Sequence, residues 1–232
     1  MAARSGSARK LARVITLTID VVLFTPQASE LSILLVPTAA GRTRARDRWT
    51  LPTDVLKADE TLDDTAMRIA RESLGSAPSF LDQAGASAGG RSSADRTDVT
   101  IVYFGLAPNG GSSPRSNAVW VPTSELVGIA SRPNGEIQMA IAAMRARVDQ
   151  QPIAFRLLPH AFTLSELQGV YELLLGRRLH KASFRRSLHA AALVEATDEW
   201  RSEGRGRPAQ LFRYVQPRRR RQRRGIRFDL LN

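Results

Sequence analysis

The sequence predicts an α+β protein, with an α/β/α sandwich over residues 13–150 followed by a winged helix-turn-helix over residues 151–216. Three observations lead there. Strand-like and helix-like segments alternate through the first 150 residues, the order of a layered sandwich. Two short amphipathic helical patterns then follow one another closely between Thr163 and Leu193. Two strand patterns come last, separated by a loop rich in glycine and arginine.

In the first domain, Ile15–Phe24 and Leu31–Pro37 are β-branched and aliphatic runs of strand length. Asp98–Leu106 reads as a third strand and Ala118–Val121 as a short fourth. Asp63–Leu74 reads as a helix: Leu62, Ala66, Ile69, Ala70 and Leu74 fall on or near one face, Thr61 caps the start and Gly75 stops it. Ile137–Val148 is the second helix. Gly85–Asp95 and Pro108–Asn117, rich in small and turn-forming residues without apolar periodicity, read as loops. Residues 1–12 read as a disordered basic N-terminus.

The second domain carries sharper signals. Thr163 and Glu166 have capping-box spacing, in which the hydroxyl accepts a first-turn amide and the carboxylate reaches back to the cap. Leu164, Leu167, Val170, Tyr171 and Leu174 form one stripe, and Gly176 is placed to end the helix in a left-handed conformation. Lys181–Leu193 is the second helix and the candidate recognition helix, with Phe184 and Leu188 inward and Lys181, Ser183, Arg185, Arg186 and His189 largely outside that stripe. Val194–Trp200 and Gln210–Val215 are the strands of a wing whose loop holds Arg201, Arg205 and Arg207. Two glycines there let the backbone approach a phosphate or a minor groove.

Arginine runs are often only solvated faces, but their distribution here argues for a partner. Residues 151–232 carry 17 Lys or Arg against 7 Asp or Glu, a net of +10, whereas residues 1–150 carry 17 against 15, a net of +2. Such a concentration suits the neutralisation of DNA phosphates. The expected DNA contacts are Lys181, Ser183, Arg185 and Arg186 from the helix and Arg205 and Arg207 from the wing, with Arg177 and Arg178 as further phosphate clamps. Residues 217–232 form an Arg-rich tail able to touch nucleic acid without sequence preference, which is the third functional reading. The chain holds 31 Arg and three Lys, a ratio that fits bidentate phosphate contacts and equally fits a GC-rich genome.

Other classes are excluded on composition. No cysteine is present for a disulfide framework or a thiolate zinc site, and His160, His180 and His189 lack ligand spacing, so no structural metal is expected. The basic N-terminus precedes no apolar run of signal or span length, which points to a cytoplasmic, nucleoid-associated protein without a membrane partner.

Residues 54–76 resemble the Nudix signature, G-x5-E-x7-R-E-U-x-E-E-x-G-U, where U is a bulky aliphatic residue. Asp54 stands at the glycine, Glu60 and Arg68 match, Ile69 replaces the first helix glutamate, Glu72 matches, Ser73 replaces the third glutamate and Gly75 matches. Ala70 and Ser76 occupy the aliphatic positions. In Nudix hydrolases this loop-helix-loop holds divalent cations against a diphosphate. Magnesium there needs clustered carboxylates, of which Glu72 and the more distant Glu60 are a fragment. No catalytic residue and no required cofactor are therefore expected, and the domain reads as a sensor; a mere dimerisation scaffold is the blander reading. The alternative is an active pyrophosphohydrolase on ADP-ribose or a similar nucleotide sugar, with Glu60 and Glu72 carrying the metal.

Taken with Leu157-Leu158-Pro159, Phe162–Gln168, Phe184-Arg185-Arg186 and Gly206-Arg207-Pro208-Ala209, the chain resembles the NrtR-like Nudix-related transcriptional regulators of bacterial NAD metabolism over most of residues 14–215. The resemblance implies a homodimer that binds a palindromic double-stranded DNA operator upstream of NAD synthesis or salvage genes, as a repressor, and that takes ADP-ribose or a related NAD metabolite as effector. Some members of that family serve sugar catabolism instead. For the effector, Arg44, Arg46 and Arg48 are placed to meet a diphosphate and Trp49 or Phe104 to stack on adenine or to pack in the core, with Glu60, Arg68 and Glu72 completing the set. Arg68 and Glu72, one helical turn apart, also have the spacing of an internal ion pair. The segment Met139–His160 is the expected lever through which a ligand changes the spacing of two recognition helices on DNA.

Overall fold

The computed structural model describes residues 14–27, 29–38, 49–88, 96–107, 117–128, 134–202 and 208–215. The N-terminal half is a seven-stranded mixed sheet built around β1 (Val14–Gln27), β2 (Glu30–Pro37), β3 (Trp49–Thr50), β4 (Thr53–Val55), β5 (Phe80–Ala88), β6 (Arg96–Leu106) and β7 (Val119–Pro122). β1 and β6 run parallel at its centre, with Val14 opposite Arg96 and Phe24 opposite Leu106. The remaining pairs are antiparallel, in the order β3-β2-β1-β6-β5, with β4 on β1 and β7 on β2. The Val21-Val22-Leu23-Phe24 run does not alternate in polarity because both faces of this sheet are covered and all four side chains are fully buried.

Helix α1 (Leu62–Leu74) covers one face, setting Ala66, Ile69, Ala70 and Leu74 against Ile19, Val21, Leu23 and Leu34. Its ends follow the sequence: Thr61 caps it in a reciprocal pair with Asp64, and Gly75 takes φ 76° at the C-terminus. Helix α2 (Asn134–Gln150) covers the other face with Ile137, Ala140, Met144 and Val148. The same apolar cluster continues from α2 into the C-terminal half, through Ile153, Phe155, Phe162, Leu167, Tyr171 and Phe184. The two halves therefore share a core, and α2 is the element they share.

The C-terminal half comprises α3 (Leu164–Leu175), α4 (Lys181–Ala190) and the hairpin β8 (Val194–Arg201) with β9 (Ala209–Tyr214). The predicted capping box closes as read: the Thr163 hydroxyl accepts from the Glu166 amide at 3.1 Å, and the Glu166 carboxylate accepts from the Thr163 amide at 2.7 Å. Gly176 takes φ 68° and ends α3. Phe162 exchanges two main-chain hydrogen bonds with Phe212, so the segment before α3 adds a one-residue third strand to the wing. A 3₁₀ segment, Ile153–Leu157, joins the halves and places Phe155 against Tyr214, Phe162 and Tyr171, with ring centroids 4.5, 5.7 and 6.3 Å away.

One sequence expectation is corrected. Gly85–Ala88, read as the start of a loop, belong to β5 and pair antiparallel with β6 after a bulge between Gln83 and Gly85. At Gly85 a Cβ would stand 2.7 Å from the Met139 sulfur, so its absence lets α2 lie close to the strand. The remainder of that loop expectation, residues 89–95, and residues 108–116 lie outside the described residues, as do residues 1–12 and 217–232. Among the described residues no helix is long and apolar enough to cross a membrane.

Candidate functional site

Helix α4 turns Phe184 and Leu188 fully inward and leaves Lys181, Ala182, Arg185, Arg186 and His189 exposed on the opposite face. Among the described residues, no hydrogen bond or ion pair engages the side chains of Lys181, Arg185 or Arg186. Unneutralised guanidinium and ammonium groups along one exposed helix face are what a polyanion requires. Ser183 is the exception among the helix residues expected to bind, since its hydroxyl lies 3.1 Å from the Nδ1 of His180 at the start of the helix.

What holds α4 at its angle is a clamp beneath the inter-helix turn. One Glu172 carboxylate oxygen accepts from the Leu179 amide at 2.9 Å and from the Gln168 amide nitrogen at 2.9 Å, while Gln168 also donates to the Leu179 carbonyl at 3.1 Å. The other Glu172 oxygen accepts from Arg178 at 3.0 Å. Burial pushes the Glu172 carboxyl up, but the Leu179 amide, the Gln168 amide and the Arg178 guanidinium together hold it below its ordinary value. The sequence reading missed this clamp; its only signal was two polar residues, Gln168 and Glu172, one turn apart on the helix. Glu172→Ala strips the Leu179 amide of its acceptor and is expected to cost about 1–3 kcal/mol. Glu172→Gln, which keeps an acceptor, is expected to lose less, and urea denaturation of the two variants reads the difference.

The described part of the wing is largely self-neutralised. Arg201 donates to Glu166 at 2.6 Å and to the Ala161 carbonyl at 3.3 Å, and Arg213 donates to Glu195 at 2.8 Å. Arg201 thereby ties β8 to the start of α3. Arg205 and Arg207 lie outside the described residues. Arg177 and Arg178 are exposed at the α3–α4 turn and border a cleft between the two domains rather than extending the α4 face.

In the N-terminal half, three carboxylates converge on one guanidinium. Arg68 donates from Nε to one Glu60 oxygen at 2.7 Å and from one terminal nitrogen to the other at 2.9 Å. Its second terminal nitrogen meets Asp54 at 2.6 Å and stands 3.8 Å from Glu72. Thr65 adds a hydrogen bond to Glu60 at 2.8 Å. The Arg68 guanidinium, with the Thr65 hydroxyl, holds the Glu60 carboxyl down to about 2 against the effect of burial, and Arg68 also lowers Asp54. Among the described residues no group of three or more His, Asp or Glu side chains is arranged to hold a metal ion.

Comparison with known proteins decides what this constellation belongs to. The family model of the NUDIX domain matches residues 15–141, more than half of the 232-residue chain. The chain belongs to the NUDIX family. A second model, the NrtR DNA-binding winged helix domain, matches residues 154–214, so the protein is a Nudix-related regulator of the NrtR-like kind. It is 29% identical over 207 residues to the ADPR-responsive transcriptional repressor NtrR of Acinetobacter baylyi, covering 86% of this chain and 82% of the relative. The crystal structure of Shewanella oneidensis NrtR complexed with a 27mer DNA superposes with a TM-score of 0.71 at 29% identity, over 86% of this chain and 93% of that one. A MutT/nudix family protein from Enterococcus faecalis shares the fold, with a TM-score of 0.65 at 17% identity over 88% of this chain and 89% of that one.

Against the Nudix signature, the replaced positions have structural explanations. Ile69, where a glutamate is the rule, is buried in the α1 face of the core. Ser73, at another glutamate position, donates back to the Ile69 carbonyl at 2.8 Å. Asp54, in place of the glycine, is a partner of Arg68. Of the proposed effector contacts, Arg68, Glu60 and Glu72 come together while Arg44, Arg46 and Arg48 lie outside the described residues. Phe104 is corrected: it is fully buried and packs on Phe80 at 5.6 Å, so it is a core residue and not a platform for adenine. Trp49 is half-buried against the same core.

The Arg68 cluster has a pH signature. A carboxyl depressed in the folded state stabilises the fold above its ordinary value, 4.5 for Glu60, and that contribution disappears as pH falls toward about 2. Thermal melting of the wild type is expected to lose stability through this window, and Arg68→Met is expected to flatten the dependence while lowering stability near neutrality.

Proposed function

We propose that the protein is a sequence-specific DNA-binding transcriptional repressor whose Nudix domain senses ADP-ribose or a related NAD metabolite and does not hydrolyse it. The single observation that carries the regulator reading is the unneutralised Lys181, Arg185 and Arg186 face of α4, set on a winged helix of the NrtR type. The sensor reading is supported by the name of the Acinetobacter baylyi relative, a repressor responsive to ADPR. Loss of catalysis is supported by the Arg68 cluster: both Glu60 oxygens are occupied by Arg68 and Thr65, which leaves Glu72 as the exposed carboxylate among the glutamates that match the signature.

Further parts of the proposal are a homodimer on a palindromic operator, with half-sites about one helical turn or a small multiple of it apart, and target genes in NAD biosynthesis or salvage. The site of action is the cytoplasm, on the nucleoid. Because a ligand shifts an equilibrium only by its differential affinity, ADP-ribose acts as an inducer by preferring the arrangement whose recognition helices are misplaced for the operator.

Fluorescence anisotropy of promoter fragments from the gene's own neighbourhood, with excess nonspecific competitor, tests both parts. Specific binding weakened by ADP-ribose is the expected result. Binding without sequence preference and with steep salt dependence would retire the regulator, and magnesium-dependent release of AMP from ADP-ribose, abolished in Glu72→Gln, would reinstate the hydrolase.

A further inference from the structure

A cleft of about 550 Å³ opens between the domains, at the junction of the β1–β2 turn, α2 and the C-terminal end of α3. Its size lies within the range of about 300–1,000 Å³ typical of small-molecule sites. Arg145 from α2 and Arg177 and Arg178 from the α3–α4 turn border it, and Leu31, Ile141 and Leu173 form an apolar floor. Its two carboxylates are both engaged: Glu30 accepts from Ser124 at 2.8 Å, and Glu172 is committed to the inter-helix clamp.

Gly169 supplies an independent observation. Glycine inside a helix weakens it relative to alanine, so a mid-helix glycine calls for a reason. Gly169 lies in the middle of α3 without a positive φ, and a Cβ built on it would meet nothing within 4 Å. Neither backbone conformation nor a close neighbour demands it, and what its missing side chain provides is room at the cleft. Gly176 contrasts with it, being required by φ 68°, with the Arg145 guanidinium lying over it.

We propose that this interdomain cleft is a second ligand site, separate from the Nudix box, for a small phosphorylated metabolite with an apolar or heterocyclic body, of which a nucleoside monophosphate is representative. Arg145 and Arg177 hold the phosphate, for which forked donors are suited, Arg178 adds positive charge at the rim while paired with Glu172, and the apolar floor near Gly169 takes the body. Arg145 stands on the α3 C-terminus, where a cation complements exposed carbonyls. A phosphate that recruits Arg145 therefore acts on the joint between α2 and the helix-turn-helix. The consequence for operator binding rests on the repressor reading; the binding itself does not.

Isothermal titration calorimetry of the full chain with AMP and inorganic pyrophosphate, with adenosine as the phosphate-free control, tests the proposal. Saturable AMP binding is expected, with adenosine at least about tenfold weaker. Gly169→Leu, which fills the cleft while favouring helix, and Arg145→Gln, which removes a phosphate contact, are each expected to weaken AMP about tenfold or more with circular dichroism unchanged. No binding of AMP or pyrophosphate up to about 10 mM, or AMP affinity unaltered in both variants, overturns the site. Retention of the ADP-ribose effect on operator anisotropy in Gly169→Leu is expected. Its loss together with AMP binding would make the cleft the ADP-ribose site itself and overturn the claim of a second one. Failure of operator binding in the wild type would instead retire the repressor reading and leave the calorimetric result standing.

Discussion

Arg185→Ala combined with Arg186→Ala is expected to lower operator affinity on the order of 10²- to 10³-fold while leaving the fold intact. Both side chains are exposed on α4 and neither is tied to a partner among the described residues, so their removal takes nothing from the core. A guanidinium that reads a base edge is worth about 1–3 kcal/mol, and one that neutralises a phosphate contributes about one unit of salt slope. The two roles separate in the single variants. A base-reading arginine relaxes sequence preference when removed, whereas a phosphate contact weakens all sequences alike. Anisotropy titrations of operator and scrambled DNA at several salt concentrations read both quantities, and wild-type affinity in the double variant would remove α4 from the interface.

Phe184→Ala is expected to cost about 3–5 kcal/mol and to abolish operator binding through structure rather than contact. Phe184 is fully buried beneath the exposed arginines and packs edge-on to Tyr171 with ring centroids 5.4 Å apart. Its cluster continues through Phe155 to α2 and the α2-covered face of the sheet, so the loss is expected to lower the melting temperature of the whole chain in one transition. Calorimetry decides the point: a separate early transition confined to the C-terminal half would show that the shared core does not couple the two domains.

Local signals carried much of this fold. Thr61 and Thr163 as caps, and Gly75 and Gly176 as left-handed stops, were legible because each acts over three or four residues and depends little on what packs around it. The orientation of α4 was legible for the same reason, since Phe184 and Leu188 mark the buried side and the cations the other. β5 was not legible, because its Gly, Ala and Ser residues carry little strand propensity, and Gly85 answers to Met139 on a helix about fifty residues away. Phe104 stayed open in the sequence: an aromatic in a strand is equally suited to stacking on a base or to packing on Phe80, and only burial distinguishes them.

By itself the sequence determined the kind of protein this is, a Nudix-related chain ending in a basic winged helix, because box spacing, helix caps and charge asymmetry are properties of the chain. The tertiary structure decided how the eroded box is occupied and how the two domains meet. Arg68 gathers Asp54, 14 residues before it, and Glu60, eight before it, into one ion cluster. Arg145 is carried onto the end of α3, and Glu172 is bound into the turn that aims α4. These partners meet only when helices and strands pack, and long-range side-chain geometry leaves no periodic trace in the sequence.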